Sequence, residues 1–377
     1  MIASVLHDDA SASARVWIEQ RGDTVLAPID LRSDTLSAIT PQMRRVMADA
    51  EVGDDLYGGD PTTQRLERRC AELLGKEAAL FTASGTLSNQ LAIRVHTDRG
   101  SEVITDAKYH INFFESAATA DLCGVVLNPV DSPDGILTPR LLDAAVDRKR
   151  RARLTSAPSL VWVENTVNYF GGSVISVTDL ADLRAASLAK GLPTHMDGAR
   201  LPNASVATGT TLAEYAATVD TVAVSFAKAL GAPFGSVLAG PAELIERASV
   251  YRLWYGGGLH QSGFMAAAAL YALEHNIDRL AEDHAHARLL RELLVENPAF
   301  TAPEPETNMV IADISGTGLT SAAFVSAAAE AGVKVARWTD TQVRIVARLG
   351  VDEAVVRDAV RRLHQVADRQ PSLAGKP

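Results

Sequence analysis

Lys228 follows directly on the apolar run 221–224, in the segment Ser225-Phe226-Ala227-Lys228. A lysine at the end of a buried strand is costly unless it has a partner or a covalent use, and a Schiff base with a carbonyl group is one such use. The small-residue stretch at 229–235, ALGAPFG, would leave a slot beside it for a flat ligand. Taken alone, Lys228 reads more readily as a surface-loop residue. Asp197, in Met196-Asp197-Gly198-Ala199-Arg200, ends a second apolar run. A carboxylate there would keep a neighbouring ring nitrogen protonated, so that the ring accepts electrons. It reads equally well as a helix cap, because Asp-Gly often marks a turn. A third segment, Thr82-Ala83-Ser84-Gly85-Thr86, lies between an apolar run and a helical pattern. Backbone N–H groups and hydroxyls at a helix N-terminus suit a phosphate, and an ordinary Ser/Thr cap is the plain alternative.

The elements that must position these residues are short apolar runs at 78–81, 102–105, 124–127, 160–163, 193–196, 221–224 and 236–239, many joined by helical patterns. This alternation predicts an α/β domain with a mostly parallel sheet. An Ala-rich helix is predicted at 262–273 and a long one at 275–295. The remainder predicts strands at 308–314, 333–336 and 343–347, with helices at 321–331 and 352–366, a small α+β unit. In its last helix Val356, Val360, Leu363 and Ala367 share one face. The expected division is an N-terminal arm at 1–28, a large domain at 29–278 and a small C-terminal domain at 279–377.

A formal net charge of −10 argues against nucleic acid or an anionic membrane as partner. The basic run at 147–153 reads as a solvated helix end or loop. Two distant cysteines, Cys70 and Cys123, exclude a disulfide framework and lack metal-site spacing. No apolar run approaches the ~20 residues of a membrane span. Asp8 and Asp9 stand where a secretory leader would be apolar, so a cytoplasmic location is expected. His284 and His286 face different sides of a helix and read as solvated residues with no metal.

Together the three segments resemble the threonine aldolase and β-eliminating lyase family of pyridoxal-phosphate (PLP) enzymes, fold type I of the aspartate aminotransferase superfamily. The likeness extends to LRSDT at 31–35, VGDDLYG at 52–58, ENT at 164–166, APFGS at 232–236, GGG at 256–258 and YALEHN at 271–276. It runs in order from residue 30 to about 280. It implies a large domain with a mostly parallel seven-stranded sheet and a small C-terminal α+β domain. By the resemblance Lys228 carries PLP, Asp197 pairs with its pyridine nitrogen and His110 stacks on its ring. Ser84, Gly85 and Thr86, helped by Ser225, would bind the phosphate. Ser33, Arg200 and Arg344 would hold the substrate α-carboxylate, Arg200 being placed also to reach the ring oxygen. The implied assembly is a homodimer or homotetramer with sites at the subunit interface.

Three positions depart from the family pattern. Val167 stands in ENTVN where a histidine that helps bind the β-hydroxyl is usual, and valine makes no hydrogen bond. Losing such a contact costs roughly 0.5–1.5 kcal/mol. His260 replaces an arginine that reaches a neighbouring subunit's phosphate, and Ala227 replaces a serine. The reading is cleavage or formation of the Cα–Cβ bond of a β-hydroxy-α-amino acid, giving glycine and an aldehyde, with a substrate other than threonine in view because of Val167. The rivals are β-elimination, transaldol exchange or transamination on another amino acid, and a non-catalytic protein that keeps the fold.

Overall fold

The computed structural model describes residues 28–57, 59–149 and 156–369. Its strands are β1 (Ile29–Asp30), β2 (Ala78–Thr82), β3 (Glu102–Asp106), β4 (Val126–Val130), β5 (Pro158–Glu164), β6 (Thr194–Asp197), β7 (Thr221–Ser225), β8 (Ser236–Gly240), β9 (Met309–Asp313), β10 (Val333–Lys334), β11 (Ala336–Arg337) and β12 (Gln342–Val346). Seven of them form one sheet in the order β2-β8-β7-β6-β5-β3-β4. Only β8 runs against its neighbours; the other pairings are parallel. Every residue of β3, β6, β7 and β8 is buried, which is why these strands read as unbroken apolar runs rather than alternating ones.

Parallel strands bring their carboxyl ends to one edge. Thr82, Asp106, Glu164, Asp197 and Ser225 therefore line up as buried polar residues along that edge, where open α/β sheets bind ligands.

Beyond the helix Gly263–His275 a three-stranded antiparallel sheet, β11-β12-β9, packs with the helices Leu280–Leu294, Ser321–Glu330 and Glu353–Asp368. Val356, Val360, Leu363 and Ala367 are buried, as their spacing predicts. The buried apolar residues fall into two clusters. One is centred on residues such as Phe81, Ile93, Trp162 and Phe226, the other on Leu290, Phe300, Phe324 and Leu363.

Four local expectations change. β4 begins at Val126 because Gly124, at φ 65°, closes the preceding turn. The helix expected at 275–295 begins at Leu280, because the preceding helix ends at Asn276, whose amide donates to Leu230 O at 2.7 Å. The strand expected at 333–336 is two short ones, β10 pairing parallel with β1 and β11 antiparallel with β12. Residues 29–31, placed with the large domain by sequence order, pair with β10, and Leu31 is buried in the C-terminal cluster. The arm at 1–28, Pro28 apart, and the basic run from residue 150 lie outside the described residues. Among those described, no helix is long and apolar enough to cross a membrane.

Candidate active site

β7 delivers Lys228. After Ser225 the chain turns through a loop closed by Phe226 N to Gly235 O (3.0 Å), Gly231 N to Lys228 O (2.8 Å) and Ala232 N to Phe226 O (3.0 Å). Gly235 has φ 96°, and a Cβ there would lie 2.4 Å from the buried Phe81 ring, so the loop admits no side chain at that point. Lys228 is half-buried. Burial and then the charge of Arg200 lower its pKa, against the opposing pull of Asp197, Asp34 and Glu164. More of its amine is thereby neutral, the form that attacks a carbonyl.

Asp197 ends β6 and is buried. Its Oδ2 accepts from Asn89 Nδ2 at 3.0 Å and its Oδ1 from Ala199 N at 3.1 Å. The helix Leu201–Thr208 has Arg200, not Asp197, at its cap. Burial alone would raise the Asp197 pKa, but Lys228, His110 and the Asn89 amide outweigh it and hold the carboxyl below its usual range. Asn89 also donates to Glu115 Oε1 at 3.0 Å, and Gln90 to Glu115 Oε2 at 2.9 Å. His110 Nδ1 lies 3.1 Å from Glu115 Oε1, an ion-pair distance. The His110 backbone N–H donates to Glu164 at 2.5 Å, which pins the start of the helix His110–Phe114 beside β5. Burial lowers the pKa of the His110 ring, but Glu115 and Asp197 more than compensate and raise it above the usual imidazole value. Glu164 is also shifted upward, by burial and by the Asp197 charge.

At the carboxyl end of β2, Ser84 caps the helix Gly85–His96, its Oγ accepting from Leu87 N at 3.2 Å. Ser84 and Thr86 are exposed, and a Cβ on Gly85 would meet nothing within 4 Å. A helix N-terminus thus opens onto unfilled space within the same network, since Thr86 Oγ1 lies 3.4 Å from Glu115 Oε1. Ser225 is buried at the end of β7.

Arg200 is held differently from expectation. Its Nε and Nη2 donate to the two oxygens of Asp34 at 2.7 and 2.8 Å, a bidentate pair in which Arg200 is 6% and Asp34 0% exposed. One edge of the guanidinium is therefore already used. Arg344 donates from Nη1 to Asn168 Oδ1 (3.0 Å) and from Nη2 to Arg32 O (3.1 Å), while its buried Nε has no partner among the described residues. Ser33 caps the turn Asp34–Leu36, its Oγ accepting from Thr35 N and Thr35 Oγ1.

This geometry has clear relatives. Residues 30–317 match the family described as β-eliminating lyase. The chain belongs to the β-eliminating lyase family. It is 38% identical to low-specificity L-threonine aldolase 1 of Arabidopsis thaliana over 85% of this chain and 91% of that one. It is 39% identical to the low specificity L-threonine aldolase of Escherichia coli K12, over 75% and 83%. A solved threonine aldolase of Leishmania major shares the fold at a TM-score of 0.76, with 22% identity, 90% of this chain and all of that one being covered. PLP is the cofactor of this family and an amino acid its kind of substrate.

Several expectations for this lyase need correcting. Val167, placed at the substrate, is fully buried in the large core beside Phe170, over Gly135. His260, expected to reach a neighbouring subunit, is exposed and pairs its Nδ1 with Asp54 at 2.9 Å, which is compatible with that expectation. His284 is buried, not solvated, and its Nε2 lies 3.1 Å from Asn203 Nδ2. Asn89, Gln90, Glu115 and Asp34 escaped the sequence reading. Asn89 and Gln90 did carry a signal, two amides amid the apolar residues of a helix. Asp34 lay inside the LRSDT segment that was read only for Ser33.

Proposed function

We propose that this lyase binds PLP at the carboxyl edge of the sheet and cleaves the Cα–Cβ bond of a β-hydroxy-α-amino acid to glycine and an aldehyde. What carries the reading is the convergence on one sheet edge of an amine with a lowered pKa, a carboxylate held ionised in a buried network, and an open helix N-terminus. A phosphorylated pyridine aldehyde has one complementary group for each. When bound, PLP supplies an electron sink for the pair released as a bond at Cα breaks.

Lys228 would hold the cofactor through its ε-amine, and Asp197 would keep a proton on the ring nitrogen. Ser84, Gly85, Thr86 and Ser225 would bind the phosphate, with His110 against the ring. The free edge of Arg200, the Nε of Arg344 and the Ser33 hydroxyl would fix the α-carboxylate, which aims one bond at Cα across the plane of the ring. His110 in its neutral form would take the β-hydroxyl proton, and a raised pKa makes that form the stronger base. We further propose a cytoplasmic homo-oligomer with sites at the subunit interface. The exposed His260 fits a reach toward a neighbouring chain's phosphate, and the two buried free thiols suit a reducing compartment.

The test is product analysis of the PLP-loaded protein given L-threonine, L-allo-threonine and larger β-hydroxy-α-amino acids. Glycine and aldehyde released in equal amounts are expected. A 2-oxo acid with ammonia would instead mean elimination, and the cleavage reading would be wrong.

A further inference from the structure

Glu115 is a buried carboxylate ringed by donors, its side chain only 1% exposed. Oε1 accepts from Asn89 Nδ2 at 3.0 Å and lies 3.1 Å from His110 Nδ1, while Oε2 accepts from Gln90 Nε2 at 2.9 Å. Residues five apart on a continuous helix point about 140° away from one another, so His110 and Glu115 would not meet on one. They meet because the helix His110–Phe114 breaks at Glu115, whose backbone sits at φ −124° and ψ 0°. The Glu115 carbonyl then accepts from Thr119 N at 2.8 Å, which holds the chain in its new course. From the facing helix, Asn89 divides its amide hydrogens between Glu115 Oε1 and Asp197 Oδ2, each at 3.0 Å. One amide thus fixes the carboxylate beside His110 relative to the carboxylate meant for the ring nitrogen.

Among the donors to Glu115 only the imidazole can change its protonation near neutral pH. An acceptor-only group beside Nδ1 keeps a hydrogen there in both the neutral and the charged ring. We propose that Glu115 is a positioning residue that fixes His110 in the Nδ1–H form, leaving Nε2 as the bare nitrogen that takes the proton of the substrate's β-hydroxyl. The inference deepens the cleavage reading above and rests on it. Other charges reach the ring from the elements packed around it. Asp197 at the end of β6 and, when ionised, Glu164 at the end of β5 favour the charged form, and Lys228 after β7 opposes it. Glu115 differs from these in lying at ion-pair distance from one particular nitrogen, so it sets the tautomer as well as the charge.

The first measurement uses the unaltered PLP-loaded protein: NMR spectra correlating ring nitrogens with their protons across pH, with the His110 signals identified by their loss in His110→Gln. Neutral His110 should carry its hydrogen on Nδ1. In Glu115→Gln the His110 pKa should fall by about a unit, since a neighbouring opposite charge shifts a pKa by roughly 1–3 units. The pH dependence of kcat for β-hydroxy-α-amino acid cleavage should follow it. In E115Q the acid limb should move to lower pH while the plateau falls about threefold or more, because a weaker base stays neutral at lower pH but takes a proton less readily. Glu115→Asp keeps the charge and should restore most of both. A purely structural Glu115 would lower kcat at every pH and leave the limb in place, which would overturn the proposal. A neutral His110 with its hydrogen on Nε2 would overturn it as well, whether or not the variants fold. Should no aldehyde form from any substrate, the cleavage reading falls and takes the role of Nε2 with it, while the spectra still decide whether Glu115 fixes the ring.

Discussion

Replacing Lys228 by alanine is expected to lower kcat for amino-acid cleavage by at least about 10³-fold, within the range for removing a positioned proton-transfer or nucleophilic group. Alanine removes the primary amine that interacts with Asp197, Asp34 and Arg200 at this sheet edge. It leaves the walls of the site in place, because the loop is held by backbone bonds at Phe226, Gly231 and Gly235 rather than by the lysine side chain. The variant should therefore fold and still bind PLP at Asp197 and the 84–86 turn. Its visible spectrum should change, since the cofactor keeps a free carbonyl. Steady-state kinetics and an absorption scan of the two proteins check this. A variant within tenfold of wild type would remove Lys228 from the chemistry.

The second large effect is on stability. Asp34→Ala leaves Arg200 charged and buried with no counter-ion at its Nε edge. Breaking a buried pair in this way costs about 3–5 kcal/mol, because the remaining charge stays desolvated. Burial alone would raise the Asp34 pKa, but Arg200's charge and hydrogen bonds overcome it and bring it down to about 2. The sign follows from the folded pKa lying below the unfolded one. The contribution is fully present above about pH 4 and is lost as pH falls toward 2. A shift of that size corresponds to about 2 kcal/mol. Urea unfolding at pH 7 should show the full loss in D34A, and an acid series should show wild type losing stability across that window while the variant loses less. A D34A protein within about 1 kcal/mol of wild type would contradict the pair's role.

What was legible in the sequence was whatever local pattern dictates. Seven strands could be read because a parallel strand buried on both faces must be a short apolar run, and the places of Asp197 and Ser84, at a strand end and a helix start, could be read beside such runs. Tertiary pairing was not legible. The alliance of Ile29–Asp30 with β10 joins residues some three hundred positions apart, and no local signal marks it. Arg200 was read as a free fork because its partner, Asp34, is 166 residues away. Glu115 is an unremarkable acid in sequence and becomes a buried hub only when the helices Gly85–His96 and His110–Phe114 meet. Val167 was misplaced for the opposite reason: a motif gave its position along the chain, while the packing of Phe170 over Gly135 closed it into the core.

The central claim is that Lys228 carries the cofactor, and borohydride reduction of the PLP-loaded protein followed by peptide mapping tests it most directly. Reduction fixes PLP to whichever amine holds it. The modification is expected on the peptide containing Lys228, with loss of the visible band in proportion. Modification of any other lysine, or a reduced protein from which all PLP dialyses away, would contradict the account.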